Sequence, residues 1–250
     1  MTATLAAPVP DAPVDPLDGD GITDPLPEPG PPRRWGRTIV RLIAGFVAVL
    51  VIGNGIILAA HAYATSKAPV PTIDVPADVA AIRNFEAVDG TLWRGGAPGA
   101  ADYRALAAAG VTTVVDLRAE EGLDIPDDLL AELGITRVAI PIRDGQAPTP
   151  DQVARFLAAV DSSEGGVYLH CGAGVGRTGT MAAAYSVSHG SSGWAAMRAN
   201  LAVGPPSLEQ LAFAASLDDG ESPKRPNAAV VAVSRTLDAP RRIWKAFEGL

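Results

Sequence analysis

One cysteine, Cys171, stands among the 250 residues. A single thiol excludes an intramolecular disulfide framework and any zinc site built from several cysteines. Bases are also in short supply: 20 Lys and Arg face 28 Asp and Glu, a formal net charge of -8. That balance leaves no broad basic surface to neutralise a phosphate backbone, so nucleic acid is not expected as a partner. Aromatic residues make up only 5% of the chain. The opening stretch carries Asp11, Asp15, Asp18, Asp20, Asp24 and Glu28 and has no Lys or Arg before Arg33. Pro-rich and without an apolar period, residues 1–37 read as a disordered acidic tail.

What the chain does have is a long uncharged run. Arg33, Arg34, Arg37 and Arg41 lead into residues 42–60, which carry no charge. As a helix this run spans about 28 Å, close to the apolar thickness of a bilayer. Gly45, Gly53 and Gly55 weaken a soluble helix but are ordinary in a membrane span. Residues 38–64 are therefore expected to form one transmembrane helix that anchors a single-pass protein in the cell membrane. Ala62-Tyr63-Ala64 has the small-x-small form of a signal-cleavage site. The apolar run is longer than a usual signal core and its leader is long, so the reading is an anchor. Lys67 and Arg83 are the first bases after the span. With four arginines before it, the positive-inside rule places the domain that follows outside the cytoplasm.

Residues 65–83, with Pro69, Pro71 and Pro76, read as an extended linker, 84–218 as the globular domain and 219–250 as a basic C-terminal tail. Ile243, Trp244, Phe247 and Leu250 have amphipathic spacing that would suit a lipid surface, although a frayed or domain-packed end is the preferred reading. Within the domain, residues 86–93 read as an opening hairpin turning at Asp89-Gly90. Helices are expected at 101–109, closed by Gly110, at 127–133, closed by Gly134, and at 150–160, with Thr149 as N-cap and Pro150 in the first turn. Buried strands are expected at 112–117, 136–140 and 167–170, and further helices at 178–187, 193–202 and 207–217. This alternation predicts an α/β fold with a mostly parallel central sheet flanked by helices on both faces.

Chemistry concentrates in residues 170–178, His170-Cys171-Gly172-Ala173-Gly174-Val175-Gly176-Arg177-Thr178, between a strand and a helix. A thiol is a useful nucleophile only as thiolate, which backbone N–H groups converging at a helix N-terminus favour. Five residues between Cys171 and Arg177 let the backbone curl into a cradle of N–H groups for a phosphate. Gly172, Gly174 and Gly176 permit left-handed angles and close approach, and Ala173 and Val175 complete the phosphate-binding loop. Arg177 closes the ring with a planar fork that pairs two phosphate oxygens. Thr178 is placed to hydrogen-bond the sulfur, and His170 to orient the cysteine and tune its acidity. Asp144, where a strand leaves into a loop at Arg143-Asp144-Gly145, is the candidate general acid. Asp116, inside an apolar strand, reads as structural, and Asp151 as a first-turn carboxylate that suits the helix dipole. This set calls for no metal and no cofactor. Two other patterns overlap the loop. Gly174, Gly176 and Gly179 fit GxGxxG but lie too late in the domain, and Gly176-Arg177-Thr178 ends like a Walker A loop with Arg in place of Lys.

The nine residues resemble the signature of the cysteine-dependent protein tyrosine and dual-specificity phosphatases, His-Cys-x5-Arg followed by Ser or Thr. Leu92-Trp93-Arg94-Gly95-Gly96-Ala97-Pro98 and Val114-Val115-Asp116-Leu117-Arg118 are similar to segments of the small atypical members from bacteria, plants and fungi. The likeness runs from about residue 84 to 217. It implies hydrolysis of phosphomonoesters through a phosphocysteine, with Arg94 and Arg118 as candidates to line the cleft. Family members that prefer inositol lipids often carry Lys or Arg in the loop. Uncharged Gly172, Ala173 and Val175 therefore favour phosphotyrosine, phosphoserine or phosphothreonine in proteins. A phosphoinositide or inositol phosphate is the alternative substrate, so the partners implied are a phosphoprotein or a phospholipid head group, together with the membrane. A second alternative is a membrane-tethered, phosphate-binding pseudophosphatase. A sulfur transferase of rhodanese type usually spaces its loop by four residues, not five.

Overall fold

A computed structural model describes residues 35–67, 73–119, 127–217 and 224–239. Most of the expected acidic tail and the apolar cluster at 243–250 lie outside these residues. The chain divides into two units, Met1–Gly45 and Phe46–Leu250. Described residues of the first belong to helix α1 (Trp35–Ser66), which continues into the second. This helix is long and apolar enough to cross a membrane, and none of its most apolar window is buried. A soluble core helix would hide such residues, yet Ile39, Val40, Leu42 and Ile43 are all exposed. Its C-terminal end makes polar contacts within the second unit, where His61 Nδ1–H donates to Leu201 O at 2.6 Å and Thr65 Oγ1 to Ala202 O at 3.2 Å.

Five strands form one sheet: β1 (Glu86–Ala87), β2 (Leu92–Gly95), β3 (Val111–Arg118), β4 (Thr136–Ile142) and β5 (Gly166–His170), in the order β1-β2-β5-β3-β4. β1 runs antiparallel to β2, and every other pairing is parallel. The helices are α2 (Ala77–Ala80), α3 (Ala100–Ala108), α4 (Asp127–Glu132), α5 (Pro150–Asp161), α6 (Gly176–Ser188), α7 (Gly193–Val203), α8 (Leu208–Ala215) and α9 (Ala228–Leu237). Successive strand side chains point to opposite faces, and the packing follows that rule. Val115, Leu117, Val167 and Leu169 meet Phe156 of α5, Met181 of α6 and Phe213 of α8. Val114 and Tyr168, one position out of phase, meet Val79, Tyr103, Leu106 and Leu130 of α2, α3 and α4. Both faces are covered, as the strand–helix alternation requires.

Local signals explain the element ends. Asp89 Oδ1 accepts the N–H groups of Thr91 and Leu92, both at 2.8 Å, and turns the opening hairpin. Gly110 and Gly134 close α3 and α4 at φ +89° and +66°, angles that cost a side-chain-bearing residue more. Thr149 and Gln152 cap α5 reciprocally. Two stretches carry more structure than their composition suggests. The stretch read as extended linker contains α2, whose Val79 is fully buried and followed by buried Ile82. Four helical residues are too few to show a period. The tail contains α9, capped by Asn227 and fixed by Ser234 Oγ, which accepts the Glu209 N–H at 3.0 Å.

Candidate active site

β5 ends at His170, and Cys171 follows as a free, buried thiol. The chain then curls through residues 172–175 into the first turn of α6, which carries Arg177 and Thr178. The orientation of this loop follows from where its carbonyls go. Cys171 O lies 3.3 Å from His170 Nδ1, Gly172 O accepts from Ala97 N at 3.1 Å, and Ala173 O accepts from Asn84 Nδ2 at 2.8 Å. Arg94 Nη2 donates to Gly174 O at 2.9 Å and to Val175 O at 3.4 Å. In a trans peptide the N–H points opposite to the C=O. Each outward carbonyl therefore turns the following N–H, from Gly172 to Gly176, to the inner side. One of these is seen directly: Gly174 N–H meets Cys171 Sγ at 3.3 Å. The loop is a cradle of donors around the sulfur, the arrangement that binds tetrahedral anions.

Of the three loop glycines, only Gly174 takes a left-handed angle, φ +77°. A Cβ there would overlap the backbone of Gly95 and Gly96, so a second reason for glycine is close approach. Gly95 and Gly96 are themselves crowded, the first by the Tyr168 hydroxyl and the second by Arg83 O and Gly172 O. That crowding explains the Gly-Gly pair in physical terms.

The arginines divide their roles differently from the sequence reading. Arg94 does not line the cleft: it is buried behind the loop, where it holds two carbonyls and pairs with Glu86 at 3.5 Å. Arg118 is likewise withdrawn, folded back on Asp116 through Nε–Oδ1 and Nη2–Oδ2 contacts of 3.0 Å. Both corrections have one cause. A guanidinium is buried only where carboxylates and carbonyls meet it, and such partners are remote in sequence or hidden in a strand. Asp116 also accepts from Arg137 at 2.9 Å. Burial works against its charge, but the Arg118 bonds, His170 and Arg137 outweigh it and hold the carboxyl well below the usual range. Asp116 is thus structural, as read.

His170 is fully buried. Because Cys171 O can only accept, Nδ1 carries the proton in that contact. Burial pushes the imidazole down to about 4, Asp116 pulls the other way, and Arg118 adds to the fall. The folded pKa lies below the unfolded value of about 6.5, so the unfolded chain binds the proton more readily between them. The stabilising contribution is complete above about pH 6.5 and is lost as pH falls towards 4, roughly 3 kcal/mol from this group. Glu86, raised by burial against the pull of Arg94, works in the opposite sense near its own range. Urea unfolding at several pH values should show a falling midpoint below 6.5 in the wild type. A His170→Asn variant should lack that fall, and an equal slope in both proteins would remove the assignment.

Thr178 Oγ1 is buried and makes no hydrogen bond among the described residues. The expected bond to the sulfur is therefore not formed, and Gly174 N–H bonds the sulfur instead. Arg177 is buried, with Nη1 donating to Ile142 O at 3.0 Å and Nη2 3.6 Å from Asp144 Oδ1. Asp144 follows β4, and its carboxylate is partly exposed, at 30%. Its loop is pinned three ways by residues around the start of α8: Ser207 Oγ donates to Gly145 O at 2.7 Å, Gln210 Nε2 to Gln146 O at 3.1 Å, and Ala147 N–H to Glu209 Oε1 at 3.1 Å. Cys171, Arg177 and Asp144 line one cavity of about 470 Å³, with Gly172, Ala173, Val175 and Gly176. Arg83, Pro205, Ser207 and Gln210 complete the lining, and none of these four was expected from sequence. Ser207 and Gln210 did carry a signal, the S-x-x-Q spacing of a capping box, but that spacing reports a helix start and not a cavity wall.

The family model described as DSP-PTPase phosphatase fused to NAD+ Kinase matches residues 77–216, more than half of the chain. The chain belongs to this DSP-PTPase family. Within the matched domain lie the loop, the Asp144 segment and α2. Among curated proteins, the probable NAD kinase 2 of rice (Oryza sativa subsp. japonica) is 38% identical over 99 residues, 36% of this chain and 10% of that protein. The human dual specificity protein phosphatase CDC14C is 48% identical over 46 residues, 18% of this chain and 10% of that protein. The chain thus spans about a tenth of the length of these relatives. Among solved structures, TpbA of P. aeruginosa is 25% identical, with 46% of this chain and 70% of that chain covered and a TM-score of 0.40.

Proposed function

We propose that the chain hydrolyses phosphoric monoesters through a phosphocysteine intermediate. The observation that carries this reading is the shared cavity, in which Cys171, Arg177 and Asp144 meet a loop whose N–H groups turn inward. In the first step the Cys171 thiolate attacks phosphorus while the bond to the leaving oxygen breaks and Asp144 supplies that oxygen's proton. In the second, Asp144 takes a proton from water, which attacks the phosphocysteine and releases phosphate and thiolate. The loop N–H groups and the Arg177 fork hold the three equatorial oxygens throughout. His170 acts as a positioning residue through the Cys171 carbonyl. Thr178, whose buried hydroxyl has no bond to give up, is the donor to the departing sulfur. No step calls for a metal. Metal-independent release of phosphate from p-nitrophenyl phosphate tests the reading. Phosphopeptide binding without turnover would favour a pseudophosphatase instead.

Phosphotyrosine, phosphoserine or phosphothreonine in proteins is the first reading of the substrate, supported by the uncharged side chains of Gly172, Ala173 and Val175. A phosphoinositide or inositol phosphate is the second, and Arg83 in the cavity wall favours it.

The same proposal places residues 38–64 in the membrane and the domain at 84–218 outside the cytoplasm. Supporting it are the exposed apolar surface of α1 and the arginines that precede the span. Protease added to intact cells should cleave the domain of the full-length protein. Protection in intact cells with cleavage after lysis would reverse the orientation.

A further inference from the structure

Arg83 lies outside the signature, yet it is built into the same cavity. It follows buried Ile82, and its own carbonyl accepts the Gly96 N–H at 2.7 Å. The next residue, Asn84, adopts φ +53° and reaches Ala173 O at 2.8 Å. The backbone on both sides of Arg83 is therefore tied to the loop that would grip a phosphate, or to the glycine pair packed against it. The side chain is exposed and lines the cavity. Among the described residues its guanidinium makes no salt bridge and no hydrogen bond. Surface arginines without partners are common and usually solvated, but the backbone that carries this one is anchored at the wall of an anion cradle.

The charge content of the cavity makes the position informative. Its lining cations are Arg177 and Arg83, and its lining carboxylate is Asp144. Arg177 already contacts Ile142 O and Asp144, beside the sulfur-bearing loop, which suits it to the phosphate being cleaved. One phosphate does not require a second guanidinium, and about 470 Å³ falls in the range of sites that enclose a whole small ligand. Arginine recognises phosphate and carboxylate alike through its planar fork.

We infer that Arg83 is a second anion-binding group of this cavity. The preferred ester carries another anionic group within one ring or one residue of the phosphate that is cleaved. This rests on the phosphatase reading above and narrows its substrate class. The shared chemistry has two sources: a neighbouring phosphate on a small polyol ring, or an acidic side chain beside a phosphorylated residue.

The test uses the purified full-length chain in detergent and two matched pairs of soluble substrates. One pair is an inositol monophosphate against a vicinal inositol bisphosphate. The other is a phosphotyrosyl peptide with neutral neighbours against the same peptide with glutamates. The wild type should favour the doubly anionic member of one pair by about tenfold in kcat/KM, the scale of a charge-assisted hydrogen bond, and that pair identifies the source. Arg83→Ala should erase the preference mainly through KM, Arg83→Lys should keep most of it, and added salt should weaken it. No preference in either pair, or an equal loss on both members in Arg83→Ala, overturns the inference. A wild type that releases no phosphate even from p-nitrophenyl phosphate removes the phosphatase reading, and this one with it.

Discussion

Cys171→Ser should lower phosphate release from p-nitrophenyl phosphate by on the order of 10⁴ to 10⁶, the scale seen when an enzyme loses its nucleophile. Serine replaces sulfur by a smaller oxygen at a position that is only 3% exposed, so the fold should survive. The Gly174 N–H that now meets Sγ can donate to a hydroxyl as well. What changes is the chemistry. A serine hydroxyl stays protonated where a thiol can ionise, and in the mechanism above Asp144 serves the leaving oxygen and not the nucleophile. The cradle of N–H groups and Arg177 remain, because Asn84, Arg94 and Ala97 hold the loop carbonyls and Ile142 O holds the Arg177 guanidinium. Binding of inorganic phosphate or vanadate, followed by titration, should therefore persist within a few-fold. Lost turnover with retained anion binding is the expected pair of results. Near wild-type turnover in this variant would end the phosphocysteine mechanism.

The parts of the site that were legible in the sequence are those whose chemistry is contiguous. Cys171, Arg177 and the glycines between them lie within seven residues, so their spacing alone defines a cradle. Asp144 was legible for a different reason: a strand runs into Arg-Asp-Gly, parallel pairing delivers that exit to the same end of the sheet as the loop, and the family resemblance implies an acid from a loop before the signature. The alternation of strands and helices gave the α/β layers, because each strand's two faces had to be covered. What remained hidden was the support. Arg94, Asn84 and Ala97 orient the loop from more than seventy residues away, and nothing local distinguishes an arginine that grips carbonyls from one that meets substrate. The loop glycines, read alike, serve different needs. Gly174 alone of the three takes a left-handed angle, and it packs against the Gly95-Gly96 backbone where Gly176 packs against the Gln210 side chain. Arg83 was legible only as a base that follows the apolar span, because nothing in its local sequence marks an arginine that lines a cavity.

Asp144→Asn should cost on the order of 10² to 10⁴ in rate on esters whose leaving oxygen needs a proton, the usual worth of a general acid. The loss should be smaller on p-nitrophenyl phosphate, whose leaving group departs readily as an anion. Asparagine keeps the shape of the side chain and the pinned loop around it, since Ser207, Gln210 and Glu209 bond the backbone of residues 145–147. A drop in rate can therefore be assigned to the missing proton and not to a displaced loop. The substitution also removes a negative charge 3.6 Å from Arg177, so anion binding should hold or tighten. Weaker phosphate binding in the variant would point to loop damage instead. The decisive readout is the dependence on leaving group and pH. Comparing a phenyl with a p-nitrophenyl ester, the variant should be far more sensitive to the leaving group than the wild type. It should also lose the limb of the pH–rate profile that reports the acid. A variant with an unchanged profile and unchanged leaving-group sensitivity would place the proton donor on another group of the cavity, with the nucleophile assignment left standing on Cys171.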